Sequence, residues 1–317
     1  MTARDIVVGA VVFAVVLAGI VGVAAAGPAL VNQDSTTAAS PEVPSAFEPG
    51  SASVDTSEAA GEVTVQADSS GDVVVIDTAH GNDQSTENVQ TLERLLVENG
   101  YEVRYHGSGS SSAAADRPGG AGGFGPSAGQ AGMNESLRDA DAYVIVNPST
   151  PYDADEATSV SAFADAGGRV LIMSDPGSLS VGELLAQALG GAGGTSDALA
   201  PVSSQLGVGV GSGYLYDMSE YDGNYQTIYA SGAASSLSAG VDRVSVDRAA
   251  PVFTGPDATV ALTTSADTEH SDSGTAGEYA VAARNGDVSV VGDTSILDPA
   301  RLQHADNEVF VGNLVEF

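Results

Sequence analysis

Short apolar runs alternate with amphipathic stretches from about residue 71 onward. Residues 73–77 form a continuous apolar run that ends in an acid, which is typical of a buried parallel strand. Positions 89, 92, 95 and 96 carry Val or Leu on one face of a helix that opens at Ser85, and Asn99 and Gly100 end it as a C-cap. A second strand is predicted at 101–105. This beginning predicts a βαβ unit with a right-handed crossover.

The alternation of apolar strands and amphipathic helices continues toward the C-terminus. Further strands are predicted at 142–147, 169–175, 279–284 and 287–293, and helices at 153–166, 181–189 and 306–316, the last with Val309, Phe310 and Leu314 facing inward. Frequent turns between about 202 and 265, with short strands at 237–246 and 258–263, indicate a β-rich extension. The pattern predicts an α/β fold with a doubly wound, mostly parallel sheet.

Two segments lack any hydrophobic periodicity. Residues 31–70 are rich in Ser, Thr, Ala, Pro, Asp and Glu, and are interpreted as a disordered linker. Residues 107–132 are almost entirely Gly, Ser, Ala and Pro, and are interpreted as a flexible surface loop. The α/β domain is therefore expected to span 71–317.

The segment at 1–30 is a candidate membrane anchor. The uncharged run from Ile6 to Ala26 could, at about 1.5 Å per residue, cross a hydrocarbon core roughly 30 Å thick. Arg4 precedes the run and the next basic residue is Arg94, so the positive-inside rule places the N-terminus in the cytoplasm and the domain outside. The alternative is a cleaved signal peptide, with an A-x-A site at 24–26 and a secreted product.

Charge is the dominant feature of the composition. The chain has 42 acidic and 10 basic residues, for a formal net charge of −32, and every basic residue is arginine. The acids are spread along the whole chain, which indicates a halophilic protein whose self-repulsion is screened in molar salt. An acidic patch for a cationic partner is the alternative. Nucleic acid is not an expected partner, because its binding needs clustered Lys and Arg.

The sequence contains no cysteine. Disulfides, thiolate nucleophiles, Cys-ligated zinc and iron–sulfur clusters are therefore excluded for this chain. The absence of lysine likewise excludes a P-loop lysine and a Schiff-base lysine. We predict no cofactor.

Polar side chains gather where the predicted strands end. Ligands of open α/β sheets bind beyond the carboxyl ends of the strands. The candidate ligand-binding residues there are Asp77, His80, Asn82, Asn147, Asp175 and Asp293. Three aspartates and a histidine could bind a metal or a polyol. The structural alternative is helix capping and loop hydrogen bonding, with no ligand and no metal.

Two further features admit more than one interpretation. His80 lies three residues after Asp77, and it could act as a general base or ligand, or only hydrogen-bond a carboxylate. Five tyrosines fall close together in the β-rich region and could form a surface for a sugar or a partner, or could simply pack between strands. They are Tyr214, Tyr216, Tyr221, Tyr225 and Tyr229.

Several segments together resemble the class I glutamine-amidotransferase-like superfamily. They are the strand VVID at 74–77, the helix and strand LLVENGYEV at 95–103, ADAYVIVNPS at 140–149, FADAGGRVLI at 163–172, and the closing residues from Gly292 to Leu314. Within that superfamily the chain is most similar to the domain-of-unknown-function 4350 type, in a halophilic archaeal version. That type is itself similar to domains of gliding-motility transport components and of intraflagellar transport proteins.

The resemblance implies an amidotransferase-like, flavodoxin-like sheet over about 72–317. Enzymes of this superfamily use a cysteine nucleophile with a downstream His and Glu, and this chain has no cysteine. The resemblance therefore implies a fold without glutaminase chemistry, used for binding or assembly. We expect a membrane-anchored, non-enzymatic extracytoplasmic module of a transport or cell-surface system, with carbohydrate as a candidate ligand. The alternatives are a hydrolase that uses the strand-end Asp and His residues, and a structural partner of membrane proteins without a small ligand.

Overall fold

The structure is a computed structural model that describes residues 63, 65, 71–82, 86–107, 128–177 and 195–317. The helices are α1 (Glu87–Glu98), α2 (Ala128–Leu137), α3 (Ala154–Asp165), α4 (Thr195–Leu206) and α5 (Asn307–Leu314). The strands are β1 (Val73–Asp77), β2 (Glu102–His106), β3 (Ala142–Val146), β4 (Arg169–Met173), β5 (Val208–Val210), β6 (Leu215–Tyr216), β7 (Tyr221–Asp222), β8 (Asn224–Gly232), β9 (Arg243–Asp247), β10 (Val252–Thr254), β11 (Thr259–Thr264), β12 (Glu269–His270), β13 (Ala280–Asn285) and β14 (Val288–Val291).

One half of the main sheet is parallel. The strands lie in the order β2-β1-β3-β4-β14, and each neighbouring pair runs in the same direction. The apolar run of β1 is buried along its whole length, as are those of β3 and β14. Continuous apolar strands are stable here because helices cover both faces of a parallel sheet. The predicted α/β architecture is confirmed for this half.

The other half of the same sheet is antiparallel. β14 pairs antiparallel with β13, and the order continues through β11, β8 and β7, with β9 also paired to β8. The sheet of ten strands is therefore mixed rather than mostly parallel. The predicted β-rich extension is a continuation of the sheet, because the hairpin from Ala280 to Val291 joins it edge to edge.

Two hydrophobic cores lie on opposite faces of the sheet. One core joins Val74 and Ile76 of β1 to the apolar faces of α1 and α5. The other joins Val73 and Val75 of the same strand to residues of α2, α3 and α4. Alternate residues of a strand point to opposite faces, so β1 contributes to both cores. This arrangement confirms the doubly wound character that the alternating pattern predicts.

Several predicted elements differ from the structure. α2 begins at Ala128, inside the segment predicted as a loop at 107–132, and the rest of that loop lies almost wholly outside the described residues. α4 contains Pro201 and was not predicted, yet Leu199 and Val202 are buried in the second core. In α4, tertiary packing thus outweighs the poor helix propensity of Pro201.

Other predictions near the ends of the domain need adjustment. The strand predicted at 237–246 is replaced by the 3₁₀ turn Ser236–Ser238 and by β9. Val309 was predicted to face inward but is 37% exposed, whereas Phe310 and Leu314 are buried as predicted. A helix as short as α5 leaves one side in solvent, and Val309 lies on that side.

The packed body also begins earlier than the pattern suggests. Val63 and Val65 lie within the predicted linker, but Val63 is buried in the first core and Val65 packs against it. The side chain of Asn99 donates to the Val63 carbonyl at 3.1 Å and accepts from the Val65 amide at 3.1 Å. The predicted anchor and the helix predicted at 181–189 lie outside the described residues. None of the helices within the described part is long and apolar enough to span a bilayer.

Candidate functional site

The structure places all six candidate residues at one edge of the sheet. They lie at or beyond the carboxyl ends of the parallel strands, in chain order Asp77, His80, Asn82, Asn147, Asp175 and Asp293. Hydrogen bonds join some of them into two groups. Asp77 and His80 form the group after β1. Asn147, Asp175 and the segment from Asp293 form the group after β3, β4 and β14.

The first group is a buried carboxylate held by an imidazole and a phenol. Asp77 is fully buried, and its Oδ2 lies 2.9 Å from Nδ1 of His80. The hydroxyl of Tyr152 donates to the same oxygen at 2.6 Å. The rings of His80 and Tyr152 stack with centroids 3.6 Å apart. Burial, followed by the nearby charges, raises the pKa of Tyr152 well above its usual value, so this hydroxyl stays protonated and donates.

His80 is also bonded on its other side. Its Nε2 lies 3.2 Å from Oε2 of Glu156, whose side chain is 13% exposed. Burial by itself lowers the pKa of His80, but the hydrogen bonds and charges of Asp77 and Glu156 outweigh burial and raise the pKa. A carboxylate at each ring nitrogen favours the imidazolium form, in which both N–H groups can donate.

The sequence of α3 explains why Glu156 reaches this histidine. Asp153 is the N-cap of α3, and its carboxylate accepts from the Glu156 amide at 2.8 Å. In return, Oε2 of Glu156 accepts from the Asp153 amide at 2.9 Å, which completes a capping box. This box fixes the same oxygen that faces His80. The polar atoms of the first group thus bond to one another.

Asn82 is separate from both groups. It is 8% exposed, and neither its Oδ1 nor its Nδ2 has a hydrogen-bond partner in the described part of the chain. The loop that carries it is held to the loop after β3, since the amides of Ser149 and Thr150 both donate to the His80 carbonyl. The Asn82 side chain therefore forms no hydrogen bond with the other candidate residues.

The second group is built around Asp175. Its Oδ2 accepts from Nδ2 of Asn147 at 2.7 Å, and its backbone amide donates to Oδ1 of Asn147 at 2.7 Å. Thr294 donates to the same carboxylate twice, from its amide at 2.7 Å and from its hydroxyl at 2.8 Å. Asn147 has a φ of 44°, a left-handed conformation that is uncommon outside glycine and that Asn tolerates best. These bonds fix Asp175 against β3 and β14.

Asp293 lies beneath this group and is fully buried. Its carboxyl accepts from the amides of Asp247 and Ser295, at 2.9 and 2.7 Å, and from the Ser295 hydroxyl at 2.9 Å. Burial and the charge of Asp175 nevertheless raise the pKa of Asp293 to about 7. The ionised form of Asp293 is disfavoured both by its burial and by repulsion from the nearby Asp175 carboxylate. Asp293 therefore supports the segment after β14 from below and does not face solvent.

An open cleft lies above the second group. Its volume is about 330 Å³. Its lining residues, all polar except Pro176, come from α1, the loop after β4, the end of β9 and the loop after β14: Asn88, Asp175, Pro176, Asp247, Arg248, Thr294 and Ser295. This volume is at the lower end of the range for small-molecule sites, which starts at roughly 300 Å³.

Gly292 allows the end of β9 to reach the cleft. The amide of Ala250 donates to the Gly292 carbonyl at 2.7 Å, and a Cβ on Gly292 would collide with the Ala250 carbonyl oxygen. This close approach of two backbones brings Asp247 and Arg248 to the edge of the parallel sheet. The end of the antiparallel strand β9 thereby lines the cleft together with the loops that follow the parallel strands β4 and β14.

Sequence reasoning identified Asp175 of the cleft and missed the rest of its lining. Thr294 and Ser295 directly follow the predicted strand end, and that position could have indicated them. Asp247 and Arg248 carried no such signal, because they end an antiparallel strand. In the first group, the D-x-x-E spacing of Asp153 and Glu156 is a recognisable capping box, but it does not reveal the contact to His80.

The tyrosine-rich region lies beside the cleft. Tyr214 and Tyr216 have ring centroids 6.2 Å apart, and Tyr216 and Tyr225 have centroids 6.1 Å apart in an edge-to-face arrangement. The Arg248 guanidinium lies 5.5 Å from the centre of the Tyr214 ring. Tyr225 and Tyr221 are 42% and 46% exposed. The tyrosines are thus partly packed together and partly open to solvent.

The described histidines and carboxylates include no group of three or more arranged to hold a metal ion. The cleft instead offers amide, hydroxyl and carboxylate groups around one guanidinium. Such a set can donate to and accept from a hydroxylated ligand.

Comparison with known proteins gives structural neighbours only. No family model and no curated protein matches the sequence. A solved structure described as "mmIFT52 N-terminal domain" superposes with a TM-score of 0.53 at 12% identity, and the match covers 75% of this chain and 93% of that chain. Another, described as "Trypanosoma brucei CTPS - glutaminase domain with bound acivicin", gives a TM-score of 0.41 at 10% identity, covering 77% of this chain and 94% of that chain.

The first of these likenesses bears on the fold. It covers nearly the whole of the neighbouring domain, and it shows that this α/β arrangement occurs in a known structure. At 12% identity it carries no information about ligand or partner. The superposition on the glutaminase domain is too distant to support any conclusion.

Proposed function

We propose that this chain is a non-enzymatic binding or assembly module that an N-terminal helix anchors outside the cell. Its ligand site is the polar cleft above Asp175. The observation that carries the proposal is the contrast between the two groups at the sheet edge. The Asp77–His80 group is closed by its own side chains, whereas the Asp175 group forms the floor of an open cleft of about 330 Å³.

The contacts of His80 favour binding over catalysis. A general base needs a free nitrogen within reach of substrate. Both nitrogens of His80 face carboxylates, at 2.9 and 3.2 Å, and the residue is 4% exposed. Asp77, the other member of the proposed hydrolase, is fully buried. The absence of cysteine removes the nucleophile of the amidotransferase-like enzymes that the sequence resembles.

The amino-acid sequence supports the membrane anchor and the class of partner in this proposal. The uncharged run at 6–26 and the distribution of arginines support an extracytoplasmic domain on a membrane anchor. The resemblance to the domain-of-unknown-function 4350 type supports a role in a transport or cell-surface system. A secreted form remains the alternative. Retention of the full chain in carbonate-washed membranes supports the anchor, and release of a shortened chain contradicts it.

Blocking the cleft tests the proposed site. Asn88 lines the cleft from α1, and its amide donates to the Thr294 hydroxyl at 3.2 Å. We expect Asn88→Trp to fill the cleft and abolish binding of monosaccharides and sugar acids in molar NaCl, measured by calorimetric titration. Gln90→Trp is the matched control, since Gln90 is exposed on the same helix and does not line the cleft. Equal binding by both variants would place the ligand elsewhere.

The competing hydrolase has its own test. Esters, glycosides and phosphoesters are offered to the protein in molar salt, and turnover is followed. We expect no turnover above that of the buffer. Turnover that disappears in both Asp77→Ala and His80→Ala, while the folded fraction is preserved, would overturn the binding proposal in favour of the hydrolase.

A further inference from the structure

We propose that the ligand of this cleft is a hydroxylated monocarboxylate, of the uronic-acid class, whose carboxylate binds Arg248. This inference rests on the proposed function and names the ligand class for the same site. It follows from the Arg248 guanidinium, which is unpaired among the described residues, the hydrogen-bonding groups around it and the Tyr214 ring beneath it.

Arg248 is a cation without an anion. The chain has 42 acidic residues, and two of them, Asp175 and Asp247, line the same cleft. Arg248 forms no ion pair with either of these or with any other described residue. By contrast, the nearby Arg301 pairs with Asp247 at 3.4 Å. The exposed guanidinium is therefore available for an anion that enters the cleft.

The backbone holds this arginine in an uncommon conformation. Arg248 has a φ of 53°, in the left-handed region that costs a bulky side chain roughly 1 kcal/mol or more. Its amide donates to the Gln226 carbonyl at 2.8 Å, so the conformation is enforced by pairing to the neighbouring strand. A planar guanidinium placed in this way presents its fork to a carboxylate, which it binds by two parallel hydrogen bonds.

The remaining lining groups match hydroxyls rather than a second charge. Asp175 already accepts three hydrogen bonds, from Asn147 and Thr294, which leaves room for about one more. Asp247 accepts from the Thr227 hydroxyl at 2.7 Å and keeps further acceptor capacity. Ligand hydroxyls can donate to these carboxylates, whereas two aspartates repel a dianion such as a phosphate monoester.

The ring of Tyr214, which does not itself line the cleft, supports the Arg248 guanidinium. The Arg248 guanidinium lies over it at 5.5 Å, and Tyr214 in turn contacts Tyr216. An aromatic ring under the guanidinium restricts its motion and adds a cation–π attraction.

Calorimetric titration in molar NaCl tests the ligand class. The probes are D-glucuronate and D-galacturonate, with D-glucose and D-galactose as neutral counterparts of the same size. The variant is Arg248→Asn, because Asn adopts a positive φ more readily than other side chains and keeps the fold. The matched control is Arg243→Asn: Arg243 lies over the Tyr229 ring at 4.3 Å at the other end of β9 and does not line the cleft.

We expect the acids to bind at least about tenfold more tightly than the neutral sugars. We expect Arg248→Asn to remove this preference and Arg243→Asn to leave it unchanged. Equal binding of acids and neutral sugars, with Asn88→Trp still blocking both, would overturn the carboxylate assignment and leave the proposed function standing. Binding that survives Asn88→Trp, or no binding of any probe, would overturn both.

Discussion

The imidazole of His80 lies nearly parallel to the phenol of Tyr152, with 3.6 Å between ring centroids and 15° between planes, and both side chains bond the same buried carboxylate. This stack closes the end of β1. A ligand that approached Asp77 would have to displace both rings. The residues that looked most reactive in the sequence are therefore closed off by their own contacts, whereas the cleft proposed as the ligand site lies farther along the sheet edge.

Removal of the histidine should destabilise the fold strongly. We expect His80→Ala to lower the free energy of unfolding by about 3 kcal/mol or more, because it leaves the buried Asp77 carboxylate without its cation. His304→Ala is the control. Its imidazole also faces a carboxylate, Asp222 at 2.8 Å, but is 49% exposed, so a loss within about 1 kcal/mol is expected. Urea unfolding in molar NaCl measures both, and equal losses would show that His80 does not stabilise the buried Asp77 carboxylate.

Stability should fall as pH rises toward neutrality. The pKa of Asp293 is raised from 3.8 to about 7, so the folded state binds this proton more tightly than the unfolded state. Its contribution is fully present below pH 3.8 and is lost as pH rises through about 7. The raised pKa of His80 has the same sign and extends the loss above pH 6.5.

Unfolding by urea across this pH range, in molar salt, measures the effect. We expect the slope between pH 3.8 and 7 to be weaker in Asp293→Asn, even though that variant is less stable overall because an amide nitrogen faces backbone donors. A variant with the same slope as the parent protein would show that another group carries the pH dependence.

The close contact at Gly292 should be sensitive to a single methyl group. We expect Gly292→Ala to destabilise the protein by about 3 kcal/mol and to weaken ligand binding, because the added Cβ forces Ala250 away and moves the end of β9. Gly277→Ala is the control, since no heavy atom lies within 4 Å of its added Cβ. Thermal unfolding and titration of D-glucuronate measure the two effects, and a Gly292→Ala protein with unchanged stability would contradict this packing.

Two substitutions at Asn147 distinguish the contribution of its backbone conformation to stability from that of its side-chain hydrogen bonds. Asn147→Gly keeps the φ of 44° but removes the paired hydrogen bonds to Asp175, and a loss of about 1–3 kcal/mol is expected. Asn147→Ala loses the same bonds and adds the left-handed strain, so it should be less stable than the glycine variant by about 1 kcal/mol. The reverse order of stability in urea unfolding would show that the conformation at this position is not strained.

The fold should depend on salt. With a net charge of −32, repulsion between side chains acts against the compact state in dilute buffer. We expect the melting temperature to rise steadily between about 0.1 M and 1 M NaCl, over which the Debye length shortens from about 10 to 3 Å. A melting temperature that does not change with salt would contradict the interpretation of the composition as salt adaptation.

Sequence periodicity was sufficient for the parallel half of the fold. β1, β3 and β4 are continuous apolar runs, and α1 has a clear apolar face, so local pattern and tertiary burial agree. α4 could not be predicted, because Pro201 inside it has poor helix propensity, whereas the burial of Leu199 and Val202 that stabilises it is a tertiary contact. The extension was recognised as β-rich, but strand pairing between distant segments leaves no local signal.

The same limit applies to the site. The rule that ligands bind beyond parallel strand ends correctly brought Asp175 and Asn147 to one place. It could not distinguish the closed environment of Asp77 from the open one of Asp175, since both are acids at the end of a buried strand. The rule could not predict that Arg248 lines the cleft, because the position of Arg248 depends on the close approach of Ala250 to Gly292.

A crystal structure of the protein grown with D-glucuronate in molar salt would locate the ligand. We expect density for the sugar acid in the cleft of about 330 Å³, with its carboxylate on Arg248 and its hydroxyls near Asp175 and Asp247. Density for the ligand against Asp77 and His80, with the Tyr152 ring displaced, would contradict this expectation.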